Sequence, residues 1–320
     1  MIAVADIRAA RERIAGRVHH TPLLSSQTLG RQIGARAWLK AENLQKTGAF
    51  KVRGALNAIL QLSEEERARG IITVSAGNHA QGVAWAAAAV GVPATVVMAE
   101  NATPSKVAAT RGYGAEVVQH GTSSLDLFGK MEELRAARGL TLVHPFDADA
   151  IIAGQGTAGL EILDDLPEFG EEGDTVVVPV GGGGLIGGIA VAIKESRPAA
   201  RVVGVEPVGA PGMSNSLAAG HAVHLDRIET IADGLTAPFA GERNFDIVRR
   251  YVEDVVLLDD ETILEGMRFL LARAKLLAEP AGAAATAALL AGKVTVAPGA
   301  RVVALVSGGN IDLPRLKALL

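Results

Sequence analysis

A chain of 320 residues, 49% hydrophobic but only 3% aromatic, has more than one core to fill, mostly with aliphatic carbon, which predicts two domains. A net charge of −4 with no lysine/arginine stripe among aromatics excludes nucleic acid as a partner. The absence of cysteine excludes a disulfide framework and thiol chemistry and suits a cytoplasmic protein. Residues 1–8 carry charge where a signal peptide needs an apolar stretch. The apolar segment 269–292 is interrupted by Arg273, Lys275 and Glu279, so it predicts a pair of buried helices and no membrane span.

The first clear element is a helix starting at Lys51, whose apolar positions Val52, Ala55, Leu56, Ile59 and Leu60 recur at one face of a 3.6-residue repeat. Strands follow at 71–74, 95–98, 116–118, 175–180, 202–206, 255–258 and 301–306. Most are continuously apolar rather than alternating, as parallel strands covered on both faces should be. Helical stretches at 78–90, 105–111, 123–138, 185–196, 261–277 and 281–290 fall between them. The fold class is α/β, with two open, mainly parallel twisted sheets flanked by helices. The compact strand–helix units between 71 and 143 predict a small mobile domain, 67–147, inserted into a larger one made of 1–66 and 148–320.

Three features at strand ends carry chemistry. Lys51, in Thr47-Gly48-Ala49-Phe50-Lys51, sits at a helix N-terminus, where the helix dipole opposes its charge. A depressed pKa there would make the amine nucleophilic, as a Schiff-base lysine must be. A solvated surface lysine is the simpler reading of that residue alone, so the case rests on its surroundings. Ser75-Ala76-Gly77-Asn78 and Ser307-Gly308-Gly309-Asn310 are Ser-x-Gly-Asn turns directly after buried strands. Ligands of open α/β sheets bind beyond the carboxyl ends of strands, so the two turns are candidate walls of one site.

The run Gly181-Gly182-Gly183-Gly184 follows a strand and opens a helix, which lets backbone N–H groups converge on a phosphate. Gly182-x-Gly184-x-x-Gly187 also fits a dinucleotide fingerprint, with Glu206 ending the next strand where a ribose-binding acid would sit. By spacing alone, a dinucleotide and a monophosphate cofactor are equally served.

Taken in order, the segment 42–51, Ser75-Ala76-Gly77-Asn78-His79, the glycine block 181–184 and Ser307-Gly308-Gly309-Asn310 resemble the serine/threonine dehydratases among the fold-type II pyridoxal-phosphate enzymes. The resemblance runs from about residue 21 to 311. It implies pyridoxal 5′-phosphate held covalently by Lys51, the catalytic residue, with Gly181, Gly182, Gly183 and Gly184 at the phosphate. It also implies Asn78 at the ring hydroxyl, Phe50 against the ring, Ser307 at the pyridine nitrogen and Glu279 near the ring's edge. The loop of Ser75, Ala76, Gly77, Asn78 and His79 would take the substrate α-carboxylate, with His79 read as a packing residue rather than an acid or base. A neutral Ser307 cannot compensate a pyridinium charge, which favours β-elimination over transamination. The implied activity is dehydration and deamination of L-threonine and L-serine to 2-oxobutanoate or pyruvate plus ammonia.

The departures from related patterns are informative. Related serine racemases carry Ser as the second residue of the carboxylate loop, where this chain has Ala76, so a racemase is the runner-up. Metal-binding relatives pair a glutamate at the position of Glu206 with an aspartate six residues later, where this chain has Gly212, so a divalent cation is doubtful. Allosteric relatives continue into a regulatory domain beyond the point where this sequence stops, so feedback inhibition through such a domain is not expected. A dehydratase of 3-hydroxyaspartate or phenylserine, an NAD-dependent oxidoreductase and a non-catalytic cofactor-binding protein are the further alternatives. A homodimer or homotetramer is expected.

Overall fold

The computed structural model describes residues 1–320, the Ser124 side chain excepted. In chain order the elements are α1 (Val4–Ile14), β1 (Leu23–Ser25), α2 (Gln27–Ile33), β2 (Arg36–Ala41), α3 (Lys51–Ile59), α4 (Glu64–Arg69), β3 (Ile71–Val74), α5 (Asn78–Ala89), β4 (Ala94–Met98), α6 (Pro104–Gly112), β5 (Glu116–Gln119), α7 (Ser124–Arg138), β6 (Thr141–Leu142), α8 (Asp149–Asp165), β7 (Thr175–Pro179), α9 (Gly184–Ser196), β8 (Arg201–Pro207), α10 (Gly212–Ala219), α11 (Glu242–Tyr251), β9 (Asp254–Leu258), α12 (Asp260–Phe269), α13 (Pro280–Leu290), β10 (Arg301–Val306) and α14 (Leu313–Leu319).

Two sheets result, of six strands in the order β1-β2-β10-β7-β8-β9 and of four in the order β5-β4-β3-β6. Every pairing is parallel except β1 with β2. This is the expected α/β class with two mainly parallel sheets. The central strands β7 and β10 are buried at every residue, as their unbroken apolar runs require when helices cover both faces. On the larger sheet, α1, α8, α9 and α11 pack together on one side, while α2, α12 and α13 lie on the other.

The helix that carries Lys51 belongs to neither sheet alone. α3 packs both on α5, beside the smaller sheet, and on α8, beside the larger. Val52, Ala55, Leu56 and Ile59 are fully buried, and Gly54 lies so close to α8 that a Cβ on either Gly54 or Gly154 would collide with the other helix. Backbone contact replaces side-chain packing there. Arg53, on the same helix as Lys51, is fully buried and donates to Glu42 at 2.8 Å and to Glu161 at 2.6 Å. Glu161 also accepts from the buried Lys40 at 2.7 Å. Two cations and two carboxylates thus balance inside the large core, where an unpaired charge would be costly.

One expected helix is shorter than its pattern. The span 261–277 is helical only to Phe269, passes through a π-turn over Leu270–Ala274, and ends with Lys275 left-handed at φ 59°. Pro280, first residue of α13, disfavours helical geometry in the residue before it, and Glu279 is extended at φ −75°, ψ 164°. The expected pair of buried helices is therefore separated by an irregular segment, which carries Glu279 to the strand ends.

Candidate active site

Beyond the carboxyl ends of β3, β6, β7 and β10 lies a cavity of about 440 Å³. Phe50, Lys51, Ser75, Ala76, Gly77, Asn78, His79, Gly181 to Gly184, Glu279 and Ser307 all line it. Segments far apart in sequence meet there because each leaves a strand end or opens a helix at the same edge.

Lys51 is half-buried, and its Nζ donates to the Pro145 carbonyl oxygen at 2.9 Å, 5.2 Å from the Phe50 ring centroid. Removal from water lowers its pKa to about 8, since desolvation penalises the charged amine. Gly77 caps α5, with its N–H donating to Ser75 Oγ at 3.1 Å, and Gly77, Asn78 and His79, at the helix start where N–H groups lack helical acceptors, line the cavity. His79 turns away. Thr73 Oγ1 donates to the Val143 carbonyl at 2.8 Å, so His79 Nε2–H donates to Thr73 Oγ1 at 3.0 Å and to Val143 O at 3.2 Å. Burial, reinforced by Lys51, holds His79 neutral well below the ordinary histidine pKa.

Asn78 Nδ2 donates to Glu279 Oε1 at 2.5 Å. Burial raises the Glu279 pKa to about 7. Ser307 is buried, and its hydroxyl makes only a long 3.4 Å bond to the Ala281 carbonyl. The N–H groups of Gly181 to Gly184 meet no protein acceptor among the described residues, so an anion reaching them breaks no hydrogen bond within the protein. Packing demands these glycines as well. A Cβ on Gly182 would overlap the Phe146 ring, and Gly183 is left-handed at φ 93° against Asn244. Asn244 Nδ2 donates to the carbonyls of Gly182 at 2.8 Å and Phe146 at 3.1 Å, fixing loop and ring together.

Glu206 does not line the cavity. It is fully buried, accepts from Met213 N at 2.7 Å and from Ser214 N at 2.9 Å, and closes the N-terminus of α10. Burial lifts its pKa to about 7. Its carboxylate is thus committed to backbone rather than to a ribose. No group of three or more metal-ligating side chains occurs among the described residues, and no helix there is long and apolar enough to cross a membrane.

Several lining residues carry no motif: Leu127 and Phe128 of α7, His144, Pro145 and Phe146 after β6, and the segment 233–239. A two-residue strand gives no sequence signal for the turn that delivers His144 to Phe146. The His-Pro-Phe run itself is the available clue.

The family model described as "Pyridoxal-phosphate dependent enzyme" matches residues 14–308. The chain is 45% identical to the L-threonine ammonia-lyase of Thermotoga maritima over 313 residues, 98% of this chain and 77% of that protein. It is 44% identical to the catabolic L-threonine dehydratase TdcB of Staphylococcus aureus, covering 100% of this chain and 92% of that one. Among solved structures, maize serine racemase superposes with a TM-score of 0.94 at 38% identity, covering 99% of this chain and 96% of the other. A threonine deaminase from T.th. superposes at 0.91 with 44% identity, covering 98% and 99%.

Proposed function

Because the chain belongs to the pyridoxal-phosphate dependent enzymes, we propose that it is an ammonia-lyase that dehydrates and deaminates L-threonine and L-serine. The observation that carries the reading is Lys51, a half-buried amine of lowered pKa facing an anion cradle across one cavity. The residues present fit the cofactor. The free N–H groups of Gly181 to Gly184 would hold its phosphate, Lys51 would hold it covalently, and Phe50, Asn78, Glu279 and Ser307 would surround its ring. Bound there, the cofactor supplies an electron-withdrawing ring that acidifies the α-proton of an attached amino acid.

The N-terminus of α5, from Ser75 to His79, receives the substrate α-carboxylate through backbone N–H groups and the helix dipole. Lys51, as a free amine, would take the proton from Cα, and its pKa near 8 keeps a useful fraction unprotonated at neutral pH. The α-proton and the 3-hydroxyl would leave together as one water, and the released enamino acid takes up water to give 2-oxobutanoate from threonine or pyruvate from serine, plus ammonia. Ala76 lines the cavity and has no proton to give, which favours elimination over racemisation despite the likeness to a serine racemase. The higher identity to dehydratases points the same way. A cytoplasmic homo-oligomer completes the reading.

The test is release of 2-oxobutanoate and ammonia from L-threonine by cofactor-loaded protein, with Lys51→Ala as the control. No 2-oxo acid from either L-threonine or L-serine, in protein that has taken up cofactor, would overturn the lyase assignment.

A further inference from the structure

His144 lies on the segment that leads from β6 into α8, beside Pro145, whose carbonyl holds Lys51 Nζ. Its Nδ1 accepts the backbone N–H of Asp147 at 2.8 Å and of Phe146 at 3.2 Å. A ring nitrogen that accepts two N–H groups carries no hydrogen of its own, so the proton sits on Nε2. Nε2–H has no protein acceptor among the described residues, and the ring lines the active-site cavity. The Phe146 ring stands edge-on to it, centroids 4.8 Å apart and planes at 88°, which fixes its tilt. Burial keeps the imidazole neutral, with a pKa of about 4. The result is a neutral donor of fixed orientation flanking the amine that takes the α-proton.

The surroundings restrict what that donor can meet. Phe146 packs at 5.3 Å on Phe239, and Leu127 and Phe128 add apolar surface from α7. The cations lining the cavity are Lys51 and Lys106, and Lys106 is paired with Asp233 at 3.0 Å. Asp233 and Glu279 are its lining acids. A second carboxylate on the substrate would meet aromatic edges and carboxylates with no free cation to offset its desolvation.

We propose that His144 is a specificity-determining residue that donates from Nε2–H to the substrate's 3-hydroxyl, and that with the Phe146–Phe239 wall it restricts the enzyme to 3-hydroxy amino acids with uncharged side chains. This deepens, and rests on, the ammonia-lyase reading. His144 orients the hydroxyl and does not surrender its proton, because losing it would create an imidazolate.

The experiment compares cofactor-loaded wild type, His144→Asn and His144→Gln on L-threonine, L-serine, β-chloro-L-alanine and 3-hydroxyaspartate. Asn keeps an acceptor for the two backbone N–H groups but lacks the far donor, whereas Gln restores a donor. His144→Asn should lower kcat/KM for threonine and serine about 10-fold, with Gln recovering part of it. β-Chloro-L-alanine, which loses chloride and has no hydroxyl to orient, should change by less than about 3-fold. Wild-type kcat/KM on 3-hydroxyaspartate should fall at least about 100-fold below that on threonine. Equal losses on the hydroxyl and chloro substrates would reduce His144 to holding its loop and overturn the hydroxyl contact. Hydroxyaspartate turnover matching threonine would overturn the charge restriction. Absence of any wild-type activity on threonine and serine, with chloroalanine still eliminated, would sink the substrate assignment instead, so the two failures are separable.

Discussion

Asn310 donates from Nδ2 to Asn78 Oδ1 at 2.8 Å, joining two Ser-x-Gly-Asn turns that stand 232 residues apart. Asn310 Nδ2 also donates to the Thr47 carbonyl at 2.6 Å, and Asn78 passes its own N–H to Glu279. The relay ties the turn after β10 to the start of α5 and to the segment before Lys51. It also fixes which end of the Asn78 amide is which, leaving one Nδ2 hydrogen for a ligand.

Asn310→Ala removes both donations while leaving Asn78 in place. Two lost hydrogen bonds of ordinary worth should weaken cofactor binding by roughly 5- to 30-fold. Asn310→Asp should be worse, because a carboxylate would face the Asn78 and Thr47 oxygens. Titration of apo-protein with pyridoxal phosphate, followed by visible absorbance, checks both. Unchanged affinity in Asn310→Asp would show that the relay does not position Asn78 for the cofactor.

Lys51 should reveal its lowered pKa before any catalysis. With a folded pKa near 8, the charged amine dominates below that value and the nucleophilic form above it. Covalent capture of cofactor by apo-protein should therefore accelerate as pH rises from about 6 and level off above about 8, rather than climbing toward about 10 as for an ordinary lysine. The native state binds fewer protons than the unfolded chain between about 8 and 10.5, so apo-protein stability gains a rising contribution over that interval. Stopped-flow absorbance across pH measures the first effect. A rate still climbing steeply above about pH 9 would refute the shift.

Much of this site is legible in the sequence because its motifs coincide with strong strand signals. The runs at 71–74 and 301–306 are β3 and β10 to the residue, so the turns after them fall where the motifs put them. The pattern fails where burial is achieved by other means. In β2, Lys40 stands one residue from the strand's end, which reads as polar, yet it is fully buried against Glu161. α8 contains Gly154, Gly156 and Gly159, poor helix formers that let it approach α3 and α9 closely. That packing depends on partners distant in sequence, and no local window reports it. Glu279 falls in the gap between the helices expected at 261–277 and 281–290, and the apolar pattern does not report that the first of them stops at Phe269, which makes the irregular segment before Glu279 longer than expected.

Arg53→Met tests how far the buried charge network supports α3. The substitution leaves Glu42 and Glu161 in the core without their shared cation, although Lys40 remains beside Glu161. A loss of about 3–5 kcal/mol is expected, partly recovered when Glu42→Gln is added. Urea unfolding reads it. A cost below about 1 kcal/mol would show that the network relaxes or admits water.

Glu206 and Glu279 both have pKa values raised to about 7 by burial. Between the unfolded carboxyl value and about 7 the native state holds more protons than the unfolded chain, so each contributes a loss of stability as pH rises through that window. For Glu206 the shift corresponds to about 3 kcal/mol. Glu206→Gln keeps an acceptor for α10 and should flatten the decline of apo-protein stability between pH 4.5 and about 7, leaving the part due to Glu279. Denaturant midpoints across that range decide it, and an unchanged slope in Glu206→Gln would reject the raised pKa.

Ala76 decides between elimination and racemisation. Racemisation needs a proton to leave one face of the planar α-carbon and another to arrive on the opposite face. Lys51 serves the face it occupies, and the carboxylate loop offers no hydroxyl at position 76. Wild-type protein should therefore convert L-serine to pyruvate and ammonia with little D-serine. Ala76→Ser introduces a donor in the same turn and should raise D-serine formation measurably, because a positioned acid or base contributes about 10²–10⁴-fold when well aligned. An imperfectly aligned hydroxyl should give the low end of that range. Chiral analysis of serine after incubation, alongside the pyruvate assay, separates the two activities. If wild-type protein forms D-serine as fast as pyruvate, a second proton donor is already present. In that case His144, whose Nε2–H is the neutral donor lining the cavity, becomes the first residue to replace.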